Sequence, residues 1–132
     1  MRLAVAALAA LALAAPAAAA TPPKAVAKTQ AAILEAAARH DYAALARIIG
    51  SKPITFTYGS AKGGPVAYWK KLERQNQDPL GSLAALLRTP ARKFQGNWVW
   101  PPAHAHSTGP AYYGYRVGIT PAGRWLFFVK GD

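Results

Sequence analysis

Residues 113–130 read YGYRVGITPAGRWLFFVK and carry the most regular pattern in the sequence. Up to Ile119, large apolar side chains alternate with glycine or arginine, and the run at 125–130 is again rich in aromatic and β-branched residues. Side chains of this kind favour strands, and the Pro-Ala-Gly triplet at 121–123 favours a turn. The stretch therefore predicts a β-hairpin near the C-terminus.

Two segments upstream of this hairpin also have strand patterns. Residues 95–100 read QGNWVW, in which Trp98 and Trp100 share one face before two prolines end the pairing. In the segment ITFTY at 54–58, apolar side chains alternate with threonine, which is typical of a half-buried strand. Together with the hairpin, these segments predict a mainly antiparallel sheet.

Helical periodicity fills most of the remaining chain in four blocks. The first block follows the prolines at 22 and 23 and ends near His40, and Asp41 is placed to cap the second. A glycine-rich loop at 59–65 leads into the third block. Asp78 followed by Pro79 is typical of a helix start and begins a fourth, leucine-rich block.

The order of these elements predicts an α+β fold. We expect an N-terminal helical hairpin and further helices to pack on a mainly antiparallel sheet that ends in a C-terminal β-hairpin. The chain has 132 residues, which is enough for one small domain, and we assign residues 25–132 to it and residues 21–24 to a linker. Because the sequence contains no cysteine, packing rather than disulfide bonds must stabilise this domain.

The N-terminus has the organisation of a secretory signal peptide. A positively charged start precedes an apolar run at 3–15, and Pro16 separates this run from the small residues up to Ala20. The run is shorter than the roughly 20 apolar residues needed to cross a bilayer. We therefore expect residues 1–20 to be a cleaved signal peptide and the protein to be periplasmic or secreted.

The element order and one short motif are similar to a known fold family. The motif HDYAAL at 40–45 precedes a predicted strand, and in residues 28–132 a helical hairpin, a strand, further helices and a terminal meander follow one another. This arrangement resembles the nuclear transport factor two-like fold, the cone-shaped α+β family that includes polyketide-cyclase-like enzymes. The resemblance implies an apolar cavity with an ionisable base aimed into it. The closing stretch at 114–132 is also similar to the ends of small exported bacterial proteins of unassigned function, which implies no activity.

The acidic residues offer no catalytic set. Asp41 and Asp78 are placed to cap helices, and Glu35 and Glu73 lie on predicted helices among solvated neighbours. The fifth acid, Asp132, is the last residue. We therefore predict no catalytic residue and no cofactor.

His104 and His106 are the candidates for metal binding or acid-base chemistry. In extended backbone, a His-x-His pair places both rings on one side, where they can chelate a transition metal. Two ligands do not complete a metal site, and the sequence places no third donor near them. We therefore expect weak or no metal binding and interpret the pair as part of an exposed loop.

Positive charge dominates the composition. Sixteen lysine and arginine residues against five acids give a formal net charge of +11, and many of these cations cluster near the third and fourth predicted helices. Such a basic face favours association with an anionic envelope component, with another protein, or peripherally with a membrane surface. Nucleic acid is not expected as a partner, because the sequence contains no recognition signature. We assign to the basic face Lys70, Lys71, Arg74, Arg88, Arg92 and Lys93.

Aromatic side chains suggest a second candidate site. A curved sheet packed against helices leaves a cavity where its side chains do not fill the space. Core packing explains most of the aromatic residues, and a minority could line an apolar pocket. The candidate lining residues are Trp69, Trp98, Trp100, Tyr113 and Tyr115.

These patterns favour a non-catalytic function. The first hypothesis is an exported binding or interaction module that uses the basic face, an aromatic-lined concavity, or both. One alternative is a small cone-fold enzyme that acts on an apolar ligand, with His104 or His106 as its base. Another is an envelope structural or inhibitor-like protein that docks a second protein. A carboxylate or histidine buried beside a cavity would favour the enzyme, whereas a filled interior and a continuous basic patch would favour binding.

Overall fold

The computed structural model describes residues 21–59, 61–105 and 112–131. The predicted signal peptide lies outside these ranges, within which no helix combines the length and apolarity required to cross a membrane. The first helix begins at Lys24, so the predicted linker is one residue shorter than expected. The helices are α1 (Lys24–Ala38), α2 (Tyr42–Ile49), α3 (Gly64–Arg74), α4 (Pro79–Leu87) and a short 3-10 helix (Pro102–Ala105).

Within the described ranges, four antiparallel strands form one sheet in the order of the sequence. They are β1 (Arg92–Phe94), β2 (Asn97–Trp100), β3 (Tyr115–Ile119) and β4 (Trp125–Lys130). The last two strands form the hairpin expected near the C-terminus, with Val117 opposite Phe128. The α+β class predicted from the sequence is therefore confirmed.

A hairpin that the sequence did not predict forms the start of the sheet. Gln95 and Gly96 form a tight turn between β1 and β2, so β2 begins at Asn97 and not at the predicted Gln95. Both turn residues have positive φ angles, 51° and 80°, as expected for the turns that match strand twist in two-residue hairpins. β1 reads Arg-Lys-Phe, so it lacks the apolar alternation that would identify a strand.

The prediction of a strand at 54–58 is wrong. Only Thr55 pairs with the sheet, in a single parallel bridge to Phe127 of β4. The Thr55 N–H donates to the Leu126 carbonyl and the Thr55 carbonyl accepts from the Phe128 N–H, both at 2.9 Å. Pro53 has no N–H with which to extend this pairing. The segment therefore covers part of the outer edge of β4 without becoming a strand.

The helix ends follow local rules that the sequence shows. The Asp41 carboxylate accepts from the Ala44 N–H at 3.0 Å, and the Asp78 carboxylate accepts from the Gly81 N–H at 2.9 Å. These bonds confirm both predicted caps. At the end of α1, His40 adopts a left-handed φ of 52°, which closes the helix with bonds to its last carbonyls.

Removal of the cap of α2 tests this local account. We expect Asp41→Ala to lower the free energy of unfolding by about 1 kcal/mol, because the Ala44 N–H loses its acceptor. Asp41→Asn keeps an acceptor oxygen and should lose much less. Thermal and urea denaturation followed by circular dichroism would measure both changes, and equal losses in the two variants would contradict the capping role.

The pairing register divides the sheet between two faces. Trp100 and Val117 are partners on the face that packs against the helices. Val99, Gly118 and Phe127 are partners on the opposite side, which we call the outer face. Buried residues of all four α-helices join the first face in one core: Val26, Ile33, Ala36, Ala37, Leu45, Ile54, Trp69, Leu80, Leu83, Ala84, Leu87, Trp98, Trp100, Val117, Ile119, Trp125 and Phe128.

Candidate functional site

α3 presents a row of cations to solvent. Trp69 and Leu72 are 1% and 8% exposed and hold one side of the helix in the core. Lys70, Lys71 and Arg74 recur at helical spacing on the opposite side and are exposed. We call these three residues the α3 stripe. Lys71 and Arg74 also lie in the last turn, where the helix dipole stabilises positive charge.

The acids of the described residues form no ion pair with the α3 stripe. Asp41 and Asp78 cap helices, and Glu73 approaches His40, with 3.0 Å between its Oε1 and the histidine Nδ1. Among the described residues, one arginine or lysine forms an ion pair with a carboxylate, namely Arg39 with Glu35 at 3.4 Å. The cations of the α3 stripe are therefore exposed and form no ion pair with a carboxylate of the described residues.

Tyr42 of α2 packs beside the α3 stripe. The Lys70 Nζ lies 5.2 Å from the centre of the Tyr42 ring, a distance at which a cation is attracted to the ring face. Burial raises the pKa of the Tyr42 hydroxyl, and the nearby carboxylates of Glu73 and Asp78 raise this pKa further. The Tyr42 hydroxyl is therefore protonated at neutral pH, and the ring of this uncharged side chain lies beside the Lys70 cation. Nothing in the sequence pattern indicated this contact.

The other cations assigned to the basic face lie elsewhere. α3 packs against β4 through Trp69. β1 lies at the far edge of the sheet, three strand spacings or about 14 Å from β4. Arg92 and Lys93 are consecutive residues of β1, so their side chains point to opposite faces. Arg88 follows the end of α4. The six cations thus do not form one face, and the α3 stripe alone is a compact group.

The aromatic residues proposed to line a pocket separate into three environments. Trp69, Trp98 and Trp100 are 1%, 4% and 0% exposed and fill the core. Tyr113 precedes β3 and is 62% exposed. Tyr115 is half-buried and lines a groove of about 310 Å³ between α4 and β3. These five side chains therefore do not form the predicted pocket.

Two further grooves have different linings. One, of about 440 Å³, lies between α1 and α2 and contains the paired Glu35 and Arg39. The other, of about 300 Å³, lies on the outer face, and we call it the sheet groove. No single stretch of sequence indicates the sheet groove, because its lining residues come from four separate segments. The residues that line it are Thr55, Tyr58, Phe94, Gln95, Arg116, Phe127 and Val129.

The predicted histidine pair does not have the expected geometry. The backbone at His104 belongs to the 3-10 helix and is not extended, and His106 lies outside the described residues. Another histidine, His40, lies near two acids. One ring nitrogen of His40 and one carboxylate oxygen each of Glu73 and Asp78, the atoms that could bind a metal, all lie within 4.8 Å of one another. Asp78 is already the cap of α4, and His40 ends α1. We interpret this cluster as a junction of helix ends.

Comparison of the chain with family models, with curated proteins and with solved structures gives no match. The resemblance to the nuclear transport factor two-like fold therefore stays a prediction. The function must be inferred from the charges, grooves and contacts of the chain itself. Two features carry such an inference: the α3 stripe and the sheet groove.

Proposed function

We propose that this protein is an exported, non-catalytic binding module that associates with anionic components of the cell envelope through the α3 stripe. The observation that carries the proposal is that Lys70, Lys71 and Arg74 are exposed and form no ion pair with the described carboxylates, on a helix whose other side is fixed in the core. Peripheral contact with an anionic lipid surface and contact with an acidic polymer use the same chemistry. The site of action is the periplasm or the exterior of the cell.

The expected strength follows from the number of charges. A lysine or arginine held near an anionic lipid surface contributes about 1 kcal/mol, so three of them contribute about 3 kcal/mol. The anchoring of α3 by Trp69 keeps the three charges on one side of the molecule. This attraction is screened over about 8 Å at physiological ionic strength, so it must weaken as salt is added.

Charge reversal on the α3 stripe tests the proposal. We expect Lys70→Glu, Lys71→Glu, Arg74→Glu to weaken binding to vesicles that contain phosphatidylserine by at least about 100-fold at low salt, since three attractive charges become repulsive. Co-sedimentation with these vesicles and with phosphatidylcholine vesicles, over a series of salt concentrations, is the measurement.

A matched control separates the α3 stripe from the net charge. Lys24, Lys28 and Lys52 are also exposed but lie outside α3, and their replacement by glutamate changes the net charge by the same amount. This control should lose much less binding than the α3 variant. Equal losses would assign the binding to net charge, and wild-type protein that ignores anionic vesicles at low salt would contradict the proposal.

A further inference from the structure

The shape of the sheet groove depends on a glycine in β3. A Cβ built at Gly118 would lie 2.2 to 2.8 Å from three atoms of the Phe127 ring. The ring therefore occupies the space that a side chain at this position would need. Because Gly118 and Phe127 are register partners, the ring lies across β3 on the outer face and forms part of the groove lining.

Aromatic side chains from two other segments complete the apolar lining. Tyr58 comes from the segment that pairs with the edge of β4, and it is 60% exposed. Phe94 comes from β1, at the opposite edge of the sheet, and the adjacent Gln95 adds a polar group. The volume of about 300 Å³ is at the lower end of the range for small-molecule sites. A ligand the size of a fused pair of rings or a short acyl chain would fit it.

Arg116 is the one charged residue among the described residues that line the sheet groove. One of its terminal nitrogens donates to the Tyr112 carbonyl, and its guanidinium lies 5.6 Å from the centre of the Tyr112 ring. A guanidinium has five N–H donors, and this single bond uses one of them. No carboxylate of the described residues forms an ion pair with Arg116. The groove therefore combines apolar walls with an uncompensated positive charge.

We propose that the sheet groove binds a small apolar carboxylate, with its ring or chain against Tyr58, Phe94 and Phe127 and its carboxylate on the Arg116 guanidinium. The planar guanidinium matches the geometry of a carboxylate, and the ion pair is strengthened where apolar walls exclude water. The excess of lysine and arginine over acidic residues also favours an anionic ligand over a neutral or cationic one. This site is independent of the α3 stripe, because α3 packs on the other face of the sheet.

Naphthylacetate and its neutral analogue naphthylacetamide are suitable probes, since they share the ring system and differ in charge. Titration of the wild-type protein, followed by calorimetry and by amide shifts in nuclear magnetic resonance spectra, should show naphthylacetate binding about tenfold more tightly than the amide. The shifts should concentrate in β3, β4 and the segment around Thr55. Arg116→Gln should remove the difference between the probes, because it removes the positive charge from the groove.

Two tyrosine variants provide a matched pair that does not disturb the core. Tyr58 and Tyr113 are 60% and 62% exposed, but only Tyr58 lines the sheet groove. Tyr58→Ala should weaken naphthylacetate binding severalfold, whereas Tyr113→Ala should leave it unchanged. The α3 charge-reversal variant should bind the probe as the wild type does, which separates this proposal from the vesicle binding. Absence of naphthylacetate binding, equal affinity for both probes, or shifts confined to another groove would overturn the proposal.

Discussion

Trp69→Ala is expected to lower the free energy of unfolding by about 3 to 5 kcal/mol, as is usual when a buried tryptophan is truncated. Trp69 is 1% exposed and contacts two aromatic side chains of β4. Its ring centre lies 5.7 Å from that of Trp125, with 23° between the planes, and 5.7 Å from that of Phe128. Alanine would remove these contacts and leave a cavity between α3 and the sheet.

Such a loss is large for a domain of this size, because most small proteins are stable by only about 5 to 15 kcal/mol. Urea denaturation followed by tryptophan fluorescence and by circular dichroism would measure it. Tyr113→Ala is the control, since this exposed side chain should change the stability by less than about 0.5 kcal/mol. Similar stabilities of the two variants would mean that α3 is not held to the sheet through Trp69.

The same contact links stability to the proposed function. The α3 stripe is on the side of the helix opposite Trp69, so the core anchor fixes the direction in which the three cations point. Trp69→Phe keeps an aromatic ring against β4 and should retain both the fold and most of the vesicle binding. Trp69 therefore matters most for the direction in which these charges point, although it carries no charge itself.

Local features of the fold could be predicted from the sequence because they depend on neighbouring residues. Asp41 and Asp78 cap helices through bonds to N–H groups three residues away. The turn between β3 and β4 could likewise be predicted from the nearby proline and glycine alone. Features that depend on distant segments were not predictable in this way. The threonine-rich segment at 54–58 has the right alternation for a strand, but only Thr55 pairs with β4.

The candidate sites show the same division. The sequence predicts the α3 stripe because its residues are neighbours on one helix. It does not show that Arg92 and Lys93 lie apart from this stripe, because their position depends on the sheet order, which places β1 at the far edge. The sheet groove could not be predicted, because its shape depends on the pairing of Gly118 with Phe127 across two strands. The glycine at position 118, inside a strand, was the one available signal, since such glycines often mark a close approach of another group.

Gly123→Ala is expected to lower the free energy of unfolding by about 3 kcal/mol. Gly123 lies in the turn between β3 and β4 with a φ of +90°, which alanine adopts only with strain. An added Cβ would also lie 2.7 Å from the backbone oxygen of Ala25 in α1. The turn is already joined to α1 by the Thr29 hydroxyl, which donates to the Gly123 carbonyl at 2.6 Å.

The two causes of this loss can be separated with a second glycine. Gly96 has a similar φ of +80°, but a Cβ there would meet no atom within 4 Å. Gly96→Ala should therefore show the strain alone, a loss of about 1 kcal/mol. The difference between the two variants, measured by urea denaturation, isolates the collision with Ala25. Equal losses of stability in the two variants would contradict close packing of the turn against the α1 backbone. In that case the apolar side chains of α1 alone would hold this helix to the sheet.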